Sequence, residues 1–247
     1  MQGIMTVSDI HGRYSELKNL LGKAKNKLDS YQLVLLGDYI GYGQECIETL
    51  ELIKILNNEY GAIVLKGNWE EMFLDSAKES NATKVTPLYK LGAKKFLSEL
   101  WDDKYRLCKT IDLIEGMNSY YIDSNFVFSH SGVDFSLWNS NVNIEEFMRL
   151  QTKEALFSNF DFYDSLDATG VSFSIPYYFV AGHVPVQKIS KQLSDTKIIA
   201  PYLSNNVIGI DFGASSMAGQ LGLVFLRPNF GCLLQEIEQR EFLSVIN

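Results

Sequence analysis

Three histidines are all that this chain of 247 residues carries. Each stands in a short polar motif directly after a strand-like apolar run: Asp9-Ile10-His11-Gly12, Ser129-His130-Ser131-Gly132 and Ala181-Gly182-His183-Val184. A single histidine is ordinarily a satisfied core or surface side chain, but three out of three in one local setting point to a shared site. Asp9, Asp38 and Asn68 recur in the same way, at intervals of 29 and 30 residues, after the apolar runs 4–7, 33–36 and 62–65. Two aspartates, one asparagine and three imidazoles make a mixed oxygen and nitrogen donor set. Such a set suits borderline divalent cations such as Mn, Fe or Zn and lacks the all-oxygen character that Ca or Mg prefers. A two-metal site follows from it.

The spacing also says what must hold these residues. Leu17, Leu20, Leu21, Ala24 and Leu28 lie between the first two apolar runs, and Ile47, Leu50, Ile53 and Leu56 between the second and third. Both sets advance in steps of three and four, the period of a helix face. The pattern predicts strand, helix, strand, helix, strand, with about 30 residues per crossover, so Asp9, Asp38 and Asn68 emerge at the carboxyl edge of one parallel sheet. Residues 70–112 read as mostly helical around the turn-prone stretch 81–87, and an inserted helical cap is expected at about 76–109. Strands are expected again at 120–122, 126–129, 178–181, 207–210 and 222–226, with a helix around 144–157. No linker or repeat divides the chain. The economical reading is one α/β domain over 1–247, in which two facing mixed β-sheets are flanked by helices.

Composition excludes several functions. Thirty acidic residues against 22 basic ones give a net charge of −8, and no dense run of Lys or Arg is present to track a phosphate backbone, so nucleic acid is not an expected partner. The longest apolar runs fall far short of the roughly 18 residues of a membrane span, and residues 1–4 carry no basic segment of a signal peptide, which places the expected location in the cytoplasm without membrane association. Cys46, Cys108 and Cys232 are odd in number and widely spaced, and read as free thiols. Oligomeric state has no sequence signal.

Asp9-Ile10-His11-Gly12, Gly37-Asp38, Gly67-Asn68-Trp69-Glu70, His130 and Gly182-His183 resemble, in order and spacing, the metal motifs of the calcineurin-like metallophosphoesterases. The C-terminal motifs around His130, His183 and Asp211 are similar to those of phosphoprotein phosphatases and bis-nucleoside tetraphosphatases, whereas Gly37 to Gly43 looks like the small prokaryotic phosphodiesterases of the superfamily. The resemblance implies that Asp9 and His11 hold one cation, that Asp38 bridges two, and that Asn68, His130 and His183 complete the second. It further implies hydrolysis of a phosphorylated substrate by attack of a metal-bound hydroxide, with Asp38, Asn68 and Lys66 in the catalytic set.

The departures from that pattern matter as much. Trp69 stands where the phosphoprotein phosphatases have a histidine that protonates the leaving group, and Gly41 where they have its aspartate partner. An indole N–H is no acid at neutral pH, so the general-acid pair is absent. Tyr42 and Lys66 stand at the positions of phosphate-gripping arginines, and Lys153 replaces a third, with Arg149 as the competing match; lysine brings charge without the bidentate fork. Restoring the pair through Gly41→Asp with Trp69→His is expected to rebuild an oriented acid. Trp69 serves either as a core aromatic or as a stacking surface, Tyr42 either as a phosphate donor or as a loop cover, and Lys66 either as a solvated lysine or as a phosphate contact. Glu70 and Glu71 read as favourable charges at a helix N-terminus, and the pairs Asp102-Asp103 and Glu145-Glu146 as solvated faces. The expected activity is dinuclear-metal phosphomonoester hydrolysis of the serine/threonine-phosphatase kind. The alternatives are a nucleotide anhydride hydrolase or phosphodiesterase of the same superfamily, or a metal-binding module without turnover.

Overall fold

The strands that build the centre of this protein are apolar at nearly every position because both of their faces are covered. In the computed structural model, which describes residues 3–28, 30–78, 88–139, 141–163, 175–189, 200–204, 206–227 and 243–244, β1 (Gly3–Val7) pairs in parallel with β2 (Tyr31–Leu35), and β2 with β3 (Ile63–Val64). On the other side β9 (Gly222–Leu226) runs antiparallel to β1, and β10 (Leu243–Ser244) antiparallel to β9. The second sheet is built from β4 (Tyr120–Asp123), β5 (Phe126–Ser129), β6 (Tyr178–Ala181), β7 (Tyr202–Ser204) and β8 (Val207–Gly209), in the order β4-β5-β6-β8-β7. Its three inner strands are parallel and its two edges antiparallel.

Alternation along each strand sorts the side chains into layers. Ile4 of β1, Val34 of β2, Phe126 and Phe128 of β5, Val180 of β6, and Val224 and Leu226 of β9 meet between the two sheets. Their neighbours Met5, Val7, Leu33, Leu35, Leu223 and Phe225 turn the other way, against α1 (Tyr14–Leu28), α2 (Cys46–Tyr60) and α3 (Asn68–Lys78). On the far face of the second sheet, Val127, Phe179 and Ala181 pack against α6 (Ile144–Leu150) and α7 (Lys153–Phe157). The result is two mixed sheets face to face with helices outside both.

The elements follow the sequence-based expectation with local differences. The helix expected around 144–157 is two: α6 gives way to extended backbone at Gln151, and Thr152 then caps α7 by accepting a hydrogen bond from Ala155 N–H (3.2 Å). The short β7 and β10 carried too few residues to show a period. The expected insertion at about 76–109 lies partly outside the described residues. Its described part, with α4 (Lys94–Trp101) and the start of α5 (Lys104–Glu115), puts Leu88, Phe96, Leu97 and Leu100 into the same apolar cluster as α1 and α2. Lys95 Nζ donates to Gln44 O (2.7 Å), next to the loop that carries Tyr42. Cys46 is buried and free and Cys108 exposed and free, while Cys232 lies outside the described residues. Among the described residues no helix is long and apolar enough to cross a membrane.

Candidate metal centre

Three parallel strands of one sheet and three of the other end at the same place. Asp9, Asp38 and Asn68 follow β1, β2 and β3; His130, His183 and Asp211 follow β5, β6 and β8. Ligand sites at the carboxyl ends of parallel strands are the rule in α/β proteins. Here the ligating atoms of Asp9, His11 and Asp38 lie within 4.8 Å of one another, as do those of Asp38, His130 and His183. Asp38 belongs to both clusters. His11 Nε2 is 3.8 Å from Asp38 Oδ2, and His130 Nε2 is 3.5 Å from Asp38 Oδ1.

The loops are tied to one another by their backbones. His11 N–H donates to Asp38 O (2.7 Å) and Gly12 N–H to Tyr39 O (2.7 Å), so the first loop lies on the second. Glu70, in the first turn of α3 and fully buried, accepts from the N–H groups of Asp38 (2.8 Å), Tyr39 (2.9 Å), Ile40 (3.2 Å) and Gly67 (2.9 Å). This corrects the expectation that Glu70 is simply a favourable charge on the helix dipole: it is the clamp that shapes the Asp38 loop. Asp9, His11, Asp38 and His183 have φ of 55, 49, 54 and 67°, in the left-handed region that costs a side chain roughly 1–2 kcal/mol. Strain concentrated on four candidate ligands marks a backbone bent to aim them. Across the sheets, His183 N–H donates to Asp9 Oδ2 (3.0 Å), and a Cβ on Gly182 would overlap Ser8 Oγ and Asp9 Oδ2, so only glycine permits this approach.

The electrostatics suit a cation. Burial lowers His11 to about 4, His130 to about 4 and His183 to about 3, so all three imidazoles are neutral and ligand-competent at neutral pH. His11 Nδ1 and His130 Nδ1 face the carbonyls of Ile40 (3.2 Å) and Leu36 (2.9 Å), which places the proton there and leaves Nε2 with its lone pair toward Asp38. Burial, then the neighbouring charges of Glu70 and Asp9, push the Asp38 carboxyl well above the usual carboxylate range; burial and Asp9 do the same to Asp211. His183 Nε2 is buried without any partner. Asn68 Oδ1 faces His130 Nε2 (2.9 Å) and His183 Nδ1 (3.1 Å), an acceptor among acceptors; without a cation the carboxamide is satisfied by turning its nitrogen inward, and with one the inward oxygen is the atom that can ligate. Crowded carboxylates and neutral imidazoles are what a divalent cation would satisfy. The donor set fits.

Of the residues expected to touch substrate, Trp69 is 4% exposed and belongs to the core, with its ring edge-on to His11 (5.7 Å between centroids) and its N–H backbone donating to Asp38 Oδ1 (3.0 Å). Tyr42 stands at the rim, 5.2 Å from the His11 ring and 4.9 Å from Trp69. Lys66 and Lys153 come together, but on a protein carboxylate: Glu71 lies 2.7 Å from Lys66 Nζ and 2.6 Å from Lys153 Nζ. Burial alone would raise Glu71, yet the two lysines outweigh it and hold its carboxyl below its ordinary value. Glu71 is therefore also more than a dipole charge. Asp103 caps α5, accepting from Arg106 N–H (3.0 Å), and Glu145 and Glu146 are exposed as expected. Gly41 has φ 152°, and a Cβ there would overlap His11 Nδ1. An aspartate cannot be restored at 41 without displacing a candidate ligand, which overturns the expected rebuilding of the acid pair. Asp211 was legible as a further strand-end aspartate after 207–210, but its burial beside Asp9 was not.

The sequence profile of the calcineurin-like phosphoesterases matches residues 3–210, and the chain belongs to that family. Over 62 residues it is 39% identical to the symmetrical bis(5'-nucleosyl)-tetraphosphatase of Psychromonas ingrahamii (strain DSM 17664 / CCUG 51855 / 37); the match spans 25% of this chain and 22% of that relative. Among solved structures, a protein serine/threonine phosphatase from Saccharomyces cerevisiae superposes with a TM-score of 0.57 at 13% identity, covering 91% of this chain and 72% of that one. A metallophosphoesterase from Sphaerobacter thermophilus gives 0.53 at 15% identity, covering 99% and 89%. These likenesses establish the shared fold, and the family membership supports a hydrolase acting on phosphorylated substrates.

Proposed function

We propose that the protein is a divalent-cation-dependent phosphoesterase that hydrolyses phosphomonoesters, with one cation held by Asp9, His11 and Asp38 and a second by Asp38, Asn68, His130 and His183. The observation that carries this reading is that Asp38 stands in both ligand clusters. Bound there, the cations supply Lewis-acid stabilisation of phosphoryl oxygens and a lowered pKa for a water. The chain's own residues do the rest. Leu36 O and Ile40 O hold two imidazoles in one tautomer, Glu70 holds the Asp38 loop, and the lysines at 66 and 153 bring positive charge that a phosphate can draw from Glu71.

Protonation of the leaving group is what the site lacks. The chain has three histidines and all three stand in the clusters, while Trp69 fills the position of the family acid. An unassisted alkoxide should leave about 10²- to 10⁴-fold more slowly than an assisted one, so aryl phosphates and phosphoanhydrides should outrun phosphoserine. Anhydride hydrolysis is favoured as the second reading by this chemistry and by the tetraphosphatase match. The test is a series of aryl and alkyl phosphates with Mn, Fe or Zn supplied, with rate plotted against leaving-group pKa. A steep dependence is expected. A flat one overturns the missing acid, and absence of turnover across the series and with nucleotides favours a binding module.

A further inference from the structure

Two exposed rings touch the candidate ligands, one on each half of the site. Tyr42 is 43% exposed and sits edge-on to His11, with ring centroids 5.2 Å apart. Phe160 is 68% exposed and lies over His183, at 4.3 Å and a tilt of 50°. The other described exposed aromatics, Tyr60, Tyr89, Trp101 and Tyr105, make no ring contact with a candidate ligand. Neither ring is left there by a loose loop. Gly43 N–H donates to His11 O (2.7 Å), and Gly92 backs the Tyr42 ring, where a Cβ would come within 3.3 Å. On the other side Asn159 N–H donates to Ser131 Oγ (2.9 Å) and Asn159 Nδ2 to Val133 O (3.2 Å), so the segment before Phe160 is bonded to the loop that carries His130. Each ring is thus fixed, apolar, open to water and adjacent to a polar centre. Single exposed apolar side chains are ordinary, and what sets these two apart is their ring contact with candidate ligands.

We propose that Tyr42 and Phe160 are stacking surfaces for planar aromatic groups of the substrate, so that in the anhydride reading a nucleobase, or the two bases of a dinucleotide, would lie on these rings. A base offers a flat face to either ring, and base stacking on an aromatic side chain tolerates any base. The leaving-group chemistry points the same way, since a phosphate leaving from an anhydride needs no proton from the missing acid, whereas a serine alkoxide does. A phosphotyrosyl peptide could fill one ring and would leave the other unused. The inference rests on the second, anhydride reading of the proposed phosphoesterase and adds the residues that would hold the base.

The decisive measurement is equilibrium binding, which does not depend on turnover. Titration calorimetry of AMP against ribose 5-phosphate, with Mn supplied and again after EDTA treatment, compares the same phosphate with and without a base. AMP should bind at least about fivefold more tightly, and the double variant Tyr42→Leu with Phe160→Leu, which keeps apolar side chains at both exposed positions, should bring that ratio close to one. Each single variant should lower it part of the way. In turnover, the ratio of kcat/KM for diadenosine tetraphosphate over tripolyphosphate should fall in both variants, with Tyr105→Ala as the remote control. Equal affinity for AMP and ribose 5-phosphate, or a phosphotyrosyl peptide outcompeting AMP, overturns the assignment. Tight AMP binding without turnover of any phosphate leaves the stacking surfaces standing and removes the phosphoesterase reading.

Discussion

The two sheets supply the centre in different ways. The first contributes Asp9, His11, Asp38 and Asn68 from loops that share backbone hydrogen bonds, lie under one carboxylate clamp and hold three ligands in left-handed backbone. The second contributes two imidazoles, whose loops share the bond from Gly182 N–H to His130 O (2.8 Å) and meet the first sheet at Asp9. The Asp9, His11 and Asp38 cluster is therefore complete within one sheet, whereas the cluster containing His130 and His183 exists only when the apolar faces around Phe128 and Val180 have docked. One half is organised by polar contacts within loops, the other by burial between layers.

The largest expected effect tests the shared ligand. Asp38→Asn should remove both cations and lower kcat/KM on the order of 10³-fold, while His130→Ala should spare the cluster that lies within the first sheet. Elemental analysis of the pure variants reads this directly; full occupancy in Asp38→Asn would remove Asp38 from the site, and loss of all metal in His130→Ala would erase the contrast between the halves.

Glu70→Ala should come next. It strands four backbone N–H groups in a buried loop, at a cost of roughly 3 kcal/mol, which for a chain of this size is a fall of about 6–12 °C in Tm of the metal-free protein. Calorimetric unfolding after EDTA treatment is the check, and a Tm change within 2 °C would show that the loop holds its shape without the clamp.

Gly41→Ala is the smaller, sharper probe of the same half. A methyl group against His11 at φ 152° should cost about 1–3 kcal/mol and weaken one cation more than the other. Competitive chelation titrations would resolve the two affinities, and equal weakening of both would contradict it. The smallest effect concerns the charges at the rim: Glu71→Gln should release Lys66 and Lys153 and tighten inhibition by inorganic phosphate severalfold, with little change in Tm because Lys153 is exposed. Unchanged or weaker inhibition would mean that these lysines serve Glu71 rather than the substrate.

Much of this was legible in the residue order. Strand-end aspartates one crossover apart, and histidines in strand-end motifs, announced both sheets and the members of both clusters, because a parallel βαβ chain has little freedom in where its strand ends fall. Glu70 was misread because a glutamate in the first turn of a helix looks the same whether it faces water or the preceding loops. Lys66 and Lys153 were expected as phosphate contacts, and their common partner Glu71 lies 82 residues from Lys153, beyond any local pattern.

By itself the sequence determined the members of the two candidate clusters, the absence of a histidine beyond them, and the parallel order that delivers Asp9, Asp38 and Asn68 to one edge. These are matters of residue type and period. Only the tertiary structure decided that Trp69 is buried, that Gly41 is held to glycine by the His11 ring, that Glu70 clamps the Asp38 loop, and that Tyr42 and Phe160 flank the centre. Each of those depends on a close approach between loops distant in sequence, and such distances are set by the docking of two sheets through their shared apolar core.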